Sequence, residues 1–334
     1  MGNVSAVCRI VGGKVKRVLI TGALGSCGSY LAEHLVDQGY EVVGLARRLG
    51  SRSHANLEAV KGLISLVDCD LCDHKTLDSI FEKTPFDGVF HVASFAHVDR
   101  SFQSPSEPMQ NNILGTLNLL ESIRKYQPRT RLMLCSSSEV YGTASSGSEK
   151  MAEDRPIRPI NPYAVSKATQ DHLGYSYHIM YGLDVVTTRA FSYINPRRSN
   201  LAASAFARQI VEIEMGKRTR LEHGNLDSVR SFLDVRDIVA AYRLCFELGV
   251  SGEAYNIGSD VAVSIQQLLQ ALIDLSSSTI STWQDPDRLR PSDISFQIPD
   301  VSKFHRLAPD WKPKHSLVES LTHLLNQFRL QESR

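Results

Sequence analysis

The amino-acid sequence predicts an α/β protein, a doubly wound parallel sheet with a smaller C-terminal lobe. Three observations predict it. The 334 residues are 42% hydrophobic and 22% charged, the balance of a globular chain with ample core rather than a disordered one. From Arg17 into the 180s, short continuous apolar runs alternate with helix-length segments. Such runs suit strands covered by helices on both faces. The first run leads directly into a glycine-rich turn that opens a helix.

Residues 1–16 read as an N-terminal extension without the apolar core or cleavage site of a secretory signal. Ala6 stands where a myristoylation signal needs Ser or Thr. Val18-Leu19-Ile20 is the first strand, and helical spacing runs from Ser29 to Gln38 and stops at Gly39. Further strands are predicted at Glu41 to Ala46, Leu63 to Val67, Val89 to Ala93, Arg131 to Cys135 and Val185 to Thr188. Helices are predicted over Asn112 to Lys125 and Pro162 to Tyr181. Residues 17–189 are thus expected to form a nucleotide-binding domain. Over 190–334 the alternation weakens, and Pro196, Pro286, Pro291, Pro299, Pro309 and Pro313 punctuate shorter elements. This part is expected to be mainly a substrate-binding lobe, interleaved with the first domain at the carboxyl ends of the strands, where open α/β sheets bind ligands.

Composition excludes several functions. With 37 Lys+Arg against 36 Asp+Glu the net charge is +1, so no field of one sign is available to attract nucleic acid. No run of roughly 18 apolar residues exists to span a membrane. Cys69-Asp70-Leu71-Cys72 is a C-x-x-C, but no second pair or His cluster completes a zinc site, so no metal centre is expected. Scattered reduced thiols suit a cytoplasmic protein.

The first strand runs into Thr21-Gly22-Ala23-Leu24-Gly25-Ser26-Cys27-Gly28, a G-x-x-G-x-x-G between strand and helix. Gly22, Gly25 and Gly28 permit the tight turn, and with Ser26 and Cys27 they bring backbone N–H groups to a pyrophosphate at the helix N-terminus. The expectation sharpens to a Rossmann-type, dinucleotide-binding sheet. NAD-binding folds usually place an acid about 20 residues past the glycines. Here the chain reads Ala46-Arg47-Arg48. A carboxylate repels a 2′-phosphate, whereas a guanidinium binds it through paired hydrogen bonds, so NADP(H) is favoured over NAD(H). The alternative is that the arginines are merely solvated after a strand. Asp70 suits a contact to the adenine edge, or else a loop cap. Leu71 and Ala93 complete the expected cofactor set.

Asn161-Pro162-Tyr163-Ala164-Val165-Ser166-Lys167 contains Tyr-x-x-x-Lys at a helix start, so Tyr163 and Lys167 share one face. A nearby ammonium stabilises a phenolate, which suits proton transfer. The fifth strand ends in Cys135-Ser136-Ser137-Ser138-Glu139-Val140-Tyr141-Gly142, placing hydroxyls at the carboxyl edge of the sheet, unless this is only a serine-rich turn. The glycine loop, a strand-end serine and a later Tyr-x-x-x-Lys, in this order, are far more specific together than singly.

On these residues the sequence resembles the extended short-chain dehydrogenase/reductase family, specifically its sugar-nucleotide branch, from Arg17 to about Arg329. The resemblance implies a triad of Ser137, Tyr163 and Lys167. Tyr163 would exchange a proton with the sugar 4-oxygen while nicotinamide exchanges a hydride with C4. Ser137 would hold that oxygen, and Lys167 would bind the nicotinamide ribose and tune Tyr163. The stretch from Gly224 to Asp237, GNLDSVRSFLDVRD, is similar to G-N-L-D-A-V-R-D-F-x-D-V-R-D of GDP-4-keto-6-deoxy-mannose reductases. Arg208 to Glu214, Asp287 to Asp293 and Trp311-Lys312-Pro313 also match them. The resemblance implies that Arg230 and Arg290 grip the diphosphate, the alternative being ion pairs with nearby aspartates.

The first half is also similar to GDP-mannose 4,6-dehydratases, whose S-T-S-E-x-Y-G stands here as Ser136 to Gly142. In that chemistry Glu139 would take the C5 proton; otherwise it accepts local backbone N–H groups. Arg47-Arg48 and the segment from His97 to Phe102 look dehydratase-like as well. The family often reads R-x-F-N-H-x-x-P-R after the sixth strand, and here Ser192 and Tyr193 replace the Asn and His. Ala96 replaces a Ser before His97. Expected substrate contacts are His97, Ser138, Ser192, Arg230 and Arg290.

The leading expectation is NADP(H)-dependent reduction of GDP-4-keto-6-deoxy-mannose to a GDP-6-deoxyhexose. GDP-mannose 4,6-dehydration, UDP-sugar 4-epimerisation and a catalytically silent NADP-binding regulator are the alternatives. The family further implies a homodimer or homotetramer through the helices near Asn112 to Lys125 and Pro162 to Tyr181.

Overall fold

Apolar runs such as Val18-Leu19-Ile20 and Val42-Val43 present hydrophobic side chains to both faces of a sheet, so each face needs a cover. The computed structural model describes residues 16–51, 54–143, 149–289 and 294–332, and supplies that cover by alternating strand and helix. The early strands are β1 (Arg17–Thr21), β2 (Glu41–Ala46), β3 (Ser65–Asp68), β4 (Gly88–His91), β5 (Arg131–Cys135) and β6 (Val185–Ala190). The helices among them are α1 (Ser26–Asp37), α2 (His74–Lys83), α3 (Val98–Gln103), α4 (Ser106–Pro108), α5 (Gly115–Tyr126) and α6 (Pro162–Tyr181).

After β7 (Tyr193–Ile194), β8 (Leu221–His223), β9 (Val229–Arg230) and β10 (Leu233–Asp234), the chain returns to the sheet as β11 (Ala254–Ile257). The seven-stranded order is β11-β6-β5-β4-β1-β2-β3. β1 lies parallel between two neighbours, with Val18 opposite Val42 on one side and Gly88 on the other. This is the Rossmann-type α/β sheet that the sequence predicts, with one strand more than the six foreseen.

Local chemistry sets several boundaries differently from expectation. The first helix starts at Ser26, directly on the glycine loop. The third strand starts at Ser65 because Gly62, at φ +77°, turns the chain before it. The helix expected from Asn112 is preceded by a π-helical turn, Met109–Leu114, and becomes regular only at Gly115.

The chain groups into two compact units. The first holds the described residues up to Val140, with Pro159–Arg189 and Val239–Tyr255. One face of its sheet packs Leu19, Leu45, Val89, Leu120, Ile123 and Leu134 with Leu77 and Phe81 of α2. The second holds Tyr141–Arg158, Ala190–Ile238 and the described residues from Asn256 onward. Its core lies among α7 (Ala202–Glu214), α9 (Ile265–Asp274) and α11 (Leu317–Glu332), through Phe206, Ile210, Leu268, Leu272, Leu324 and Phe328. α8 (Val235–Leu248) carries the chain from this unit back to the first. No helix among the described residues is long and apolar enough to cross a membrane.

Candidate active site

The glycine loop is built so that side chains cannot enter it. Gly22 has φ +73°, and a Cβ there would stand 2.8 Å from the Cα of Ala93. A Cβ on Gly28 would collide with the carbonyl oxygen of Gly22. The amides of Gly22 and Ala23 both donate to the Leu45 carbonyl, at 2.9 and 3.1 Å, locking the loop to β2. Gly25 caps α1 without a side-chain hydrogen bond to the amides of the first turn. Those amides and the helix dipole suit an anion, and the loop fits a dinucleotide pyrophosphate.

Beyond the end of β2, the half-exposed Arg47 guanidinium donates to Asn111 Oδ1 at 2.8 Å and pairs with Asp70 at 3.6 Å. Arg48 takes a left-handed φ of 59°, uncommon for a residue with a Cβ. The turn is held by Asp68, whose carboxylate accepts from the amides of Arg48 at 2.8 Å and Leu49 at 3.2 Å. The nearest acid, at the end of β3, is thereby occupied by backbone. Asp70 caps its own loop, accepting from the Cys72 amide at 2.9 Å. The Leu71 side chain is in the hydrophobic core against Gly115, so only its backbone is left to meet a ligand. Ala93 donates its amide to Thr21 Oγ1 at 3.1 Å.

A buried polar chain lies behind this loop. His91 Nδ1 meets Thr21 Oγ1, and its Nε2 meets Thr116 Oγ1, both at 2.8 Å. Thr21 Oγ1 also accepts from the Ala93 amide, and Thr116 Oγ1 accepts from Gln170 Nε2 at 2.5 Å, so the ring lies between two hydroxyls that are themselves held in place. Burial, with the Lys167 charge nearby, lowers the His91 pKa to about 3, so the ring is neutral.

The catalytic candidates converge where β5 meets α6. Ser137 is 8% exposed, Tyr163 8% and Lys167 2%. Asn161 caps α6, its Oδ1 accepting from the Ala164 amide at 2.7 Å, and Pro162 fills the first helical position. One turn on, Lys167 Nζ donates to the Cys135 carbonyl at 2.5 Å. That bond holds the ammonium at the carboxyl end of β5, beside the serine edge. Burial pushes the Lys167 pKa below the ordinary lysine range, partly offset by Cys135 and Asp171. Asp171 is itself paired with Arg189, at 2.8 Å.

Ser137 Oγ accepts from the Glu139 amide at 3.2 Å, and Glu139 Oε2 accepts from Asn161 Nδ2 at 3.0 Å. The neighbouring Ser138 is buried and opens the 3₁₀ turn Ser138–Tyr141. His97 is exposed at the start of α3, its ring edge-on to Phe95 at 5.7 Å.

Three residues of this site escaped the sequence reading as functional positions: His91, Asn112 and Asn161. Asn112 sits in the π-helical turn, fully buried. It accepts from the Phe95 amide at 2.7 Å and donates to Ser166 Oγ at 2.8 Å. Ser166 in turn donates to the Tyr163 carbonyl at 2.7 Å. Asn161 was findable, since Asn before Pro at a helix start is a capping signature. An Asn within an apolar-periodic helix, or a His ending a strand, carries no such signal.

In the second unit, Ser192 is half-buried and its carbonyl accepts from the Leu233 amide at 3.3 Å, while Tyr193 begins β7 and pairs with Leu233. Arg230, on β9, donates through Nη1 to the Val229 carbonyl at 3.0 Å. Arg290 lies outside the described residues.

Comparison with known proteins agrees with this geometry. The family model described as GDP-mannose 4,6 dehydratase matches residues 19–324. GDP-6-deoxy-D-mannose reductase of Pseudomonas aeruginosa is 30% identical over 86% of this chain and 96% of that protein. Human dTDP-D-glucose 4,6-dehydratase is also 30% identical, over 95% of this chain and 91% of that protein. Among solved structures, RMD of P. aeruginosa complexed with NADPH superposes with a TM-score of 0.83 at 27% identity, covering 95% of this chain and all of that one. DesIV of Streptomyces venezuelae, a dTDP-glucose 4,6-dehydratase with NAD and TYD bound, gives 0.82 at 27% identity, covering 95% and 98%. A glycine loop without room for side chains, a serine edge and a buried lysine under Tyr163 thus coincide with an end-to-end match, and the chain is an enzyme belonging to the GDP-mannose 4,6 dehydratase family, in the sugar-nucleotide branch of the extended short-chain dehydrogenases/reductases.

Proposed function

We propose that this enzyme uses NADPH to reduce the C4 ketone of GDP-4-keto-6-deoxy-mannose, giving a GDP-6-deoxyhexose. The observation that carries the reading is the buried Lys167 ammonium fixed on the Cys135 carbonyl, one helical turn from Tyr163 and beside Ser137. The likeness to the P. aeruginosa reductase over nearly its whole length supports the reaction class. When bound, the nicotinamide supplies the hydride that C4 receives.

The chain's own groups do the rest. Gly22, Gly25 and Gly28 leave the room in which the pyrophosphate lies, and with Ser26 and Cys27 they bring it to the backbone amides at the start of α1. Arg47 and Arg48 take the 2′-phosphate, and Asp70, the Leu71 backbone and Ala93 border the adenine and ribose. Tyr163 donates its proton to the sugar O4, and Lys167 stabilises the phenolate left behind. Ser137 already accepts a hydrogen bond from Glu139, so its own proton is left to donate to O4. Arg230 and Arg290 hold the diphosphate, and His97, Ser138 and Ser192 contact the sugar.

A second reading, GDP-mannose 4,6-dehydration, is favoured by one feature. Glu139 has Oε2 anchored on Asn161, while Oε1 has no hydrogen-bond partner among the described residues. One fixed and one open oxygen suit proton abstraction at C5.

Product analysis separates the readings. The protein is incubated with GDP-mannose, with and without NADPH, and with GDP-4-keto-6-deoxy-mannose plus NADPH. NADPH consumption with the keto sugar alone establishes the reductase. A 4-keto product from GDP-mannose without net cofactor use establishes the dehydratase. A homodimer or homotetramer is part of the proposal, because Tyr175, Ile179, Met180 and Tyr181 leave one side of α6 apolar and exposed. Sedimentation of the purified enzyme tests it. The Cys69 thiol, pushed by burial up to about 12, stays protonated and is a packing group rather than a nucleophile.

A further inference from the structure

We infer that Asn161 is a positioning residue: its single side-chain amide ties the catalytic helix to the Glu139 carboxylate, so that Ser137, Glu139 and Tyr163 are held as one body. The inference rests on the reading of Ser137, Tyr163 and Lys167 as the reacting set.

Both ends of the amide are used. Oδ1 accepts from the Ala164 amide at 2.7 Å, which is the helix cap. Nδ2 donates to Glu139 Oε2 at 3.0 Å. Capping alone does not call for asparagine, because Asn, Asp and Ser serve about equally at this position. Only the amide carries an acceptor on one end and a donor on the other. An Asp there would face Glu139 with a like charge. A Ser would cap through a side chain one atom shorter, with donor and acceptor on the same oxygen, and leave Glu139 without a donor within reach.

The consequence is geometric. Two other side-chain ties between the end of β5 and α6 sit at Lys167, its Nζ on the Cys135 carbonyl and its own carbonyl accepting from Ser136 Oγ at 3.5 Å, whereas the Asn161–Glu139 bond holds the helix start. Tyr163 lies between the two tied positions along the helix. On the strand side, the Glu139 amide is bonded to Ser137 Oγ, so the Asn161 tie runs on to the serine that holds the substrate oxygen. Held at Lys167 alone the helix start can pivot about that residue; held at Asn161 as well it cannot. A misplacement of about 1 Å in a reacting group costs on the order of a hundredfold in rate.

The test compares Asn161→Ser, Glu139→Ala and the double variant with the wild type. Asn161→Ser keeps a competent cap, so its thermal midpoint and its NADPH affinity are expected to match the wild type. Its kcat is expected to fall about tenfold or more with KM unchanged, since binding groups are untouched. In the Glu139→Ala background, adding Asn161→Ser is expected to cost nothing further, because the acceptor of the tie is already gone. An unchanged kcat, a loss that multiplies in the double variant, or a loss that follows the thermal midpoint would each overturn the inference.

A second measurement needs no substrate. The Glu139 carboxyl resonance in protein labelled with ¹³C-carboxyl glutamate is assigned by its loss in Glu139→Gln. It is expected to shift in Asn161→Ser, and a resonance that stays in place overturns the tie. If no nucleotide sugar is turned over by the wild type, the proposed function fails while this measurement still decides the role of Asn161.

Discussion

Lys167 and Arg47 stand beyond the carboxyl ends of strands in one parallel sheet, and they are built in opposite ways. Lys167 is 2% exposed, fixed on a carbonyl at the end of β5, and held below its ordinary pKa by burial. Arg47 follows β2 with nearly half its side chain in solvent, bonded only to Asn111 and loosely to Asp70. The difference teaches how labour is divided along a sheet edge. A group that takes part in bond-making needs one geometry and a dry setting, and it is placed on the inner strands and helices. A group that selects between ligands can be exposed, because a guanidinium keeps its charge and finds a phosphate from many side-chain poses.

The contrast breaks most visibly at Tyr163. Tyr163→Phe keeps the ring and removes the proton, so kcat is expected to fall by about 10²–10⁴-fold while NADPH still binds. Undiminished turnover would show that the buried end is not the reacting end. At the exposed end, Arg47→Ala combined with Arg48→Ala is expected to weaken NADPH binding by about 10- to 100-fold, from the loss of charge-assisted hydrogen bonds, with NADH binding within about twofold. Equal losses for both cofactors, in titrations followed by nicotinamide fluorescence, would make the arginines solvated residues only.

A smaller effect concerns acid. His91 has a folded pKa of about 3, set by burial and then by Lys167, against about 6.5 when unfolded. The unfolded chain therefore binds the extra proton between those values, and stability is lost as pH falls from about 6.5 towards 3. In urea titrations His91→Gln is expected to flatten that slope by up to about 1.4 kcal/mol per pH unit. An unaltered slope would mean that the ring is not held neutral. The smallest expected change in stability is at Lys167. Its depressed pKa makes stability rise with pH between the folded value and about 10.4. Lys167→Met removes a buried charge for a similar volume, so turnover is expected to collapse while the thermal midpoint holds or rises. A midpoint that drops with turnover would make the lysine a structural support.

Much of this was legible in the sequence because it is local. The glycine spacing, the strand-end serines and Tyr163 four residues before Lys167 are each written within a few residues. The alternation of apolar runs with helical segments gave six of the seven strands. β11 was not legible, because Ala-Tyr-Asn-Ile is short and its Asn256 breaks the apolar run. The π-helical turn was missed because an extra residue in one turn leaves no period to detect. Asn161 with Glu139, and His91 with Thr21 and Thr116, join residues 22 to 70 positions apart, and no local pattern announces such partners.

The late arrival of β11 has a consequence for the ribosome. β6 is bonded along one edge to β5 soon after it is made, but its other edge meets residues from Gly252 onward, through bonds such as Thr187 to Glu253. At about 5–20 residues per second, that edge stays open for several seconds while Ala190–Ile238 of the second unit and α8 are synthesised. An unpaired edge of Val185 to Ala190, with four β-branched residues in a row, is what a nascent chain most needs to keep from its neighbours. Ribosomes stalled before residue 250 should therefore display a sheet still open to chaperones, and only release past β11 closes it.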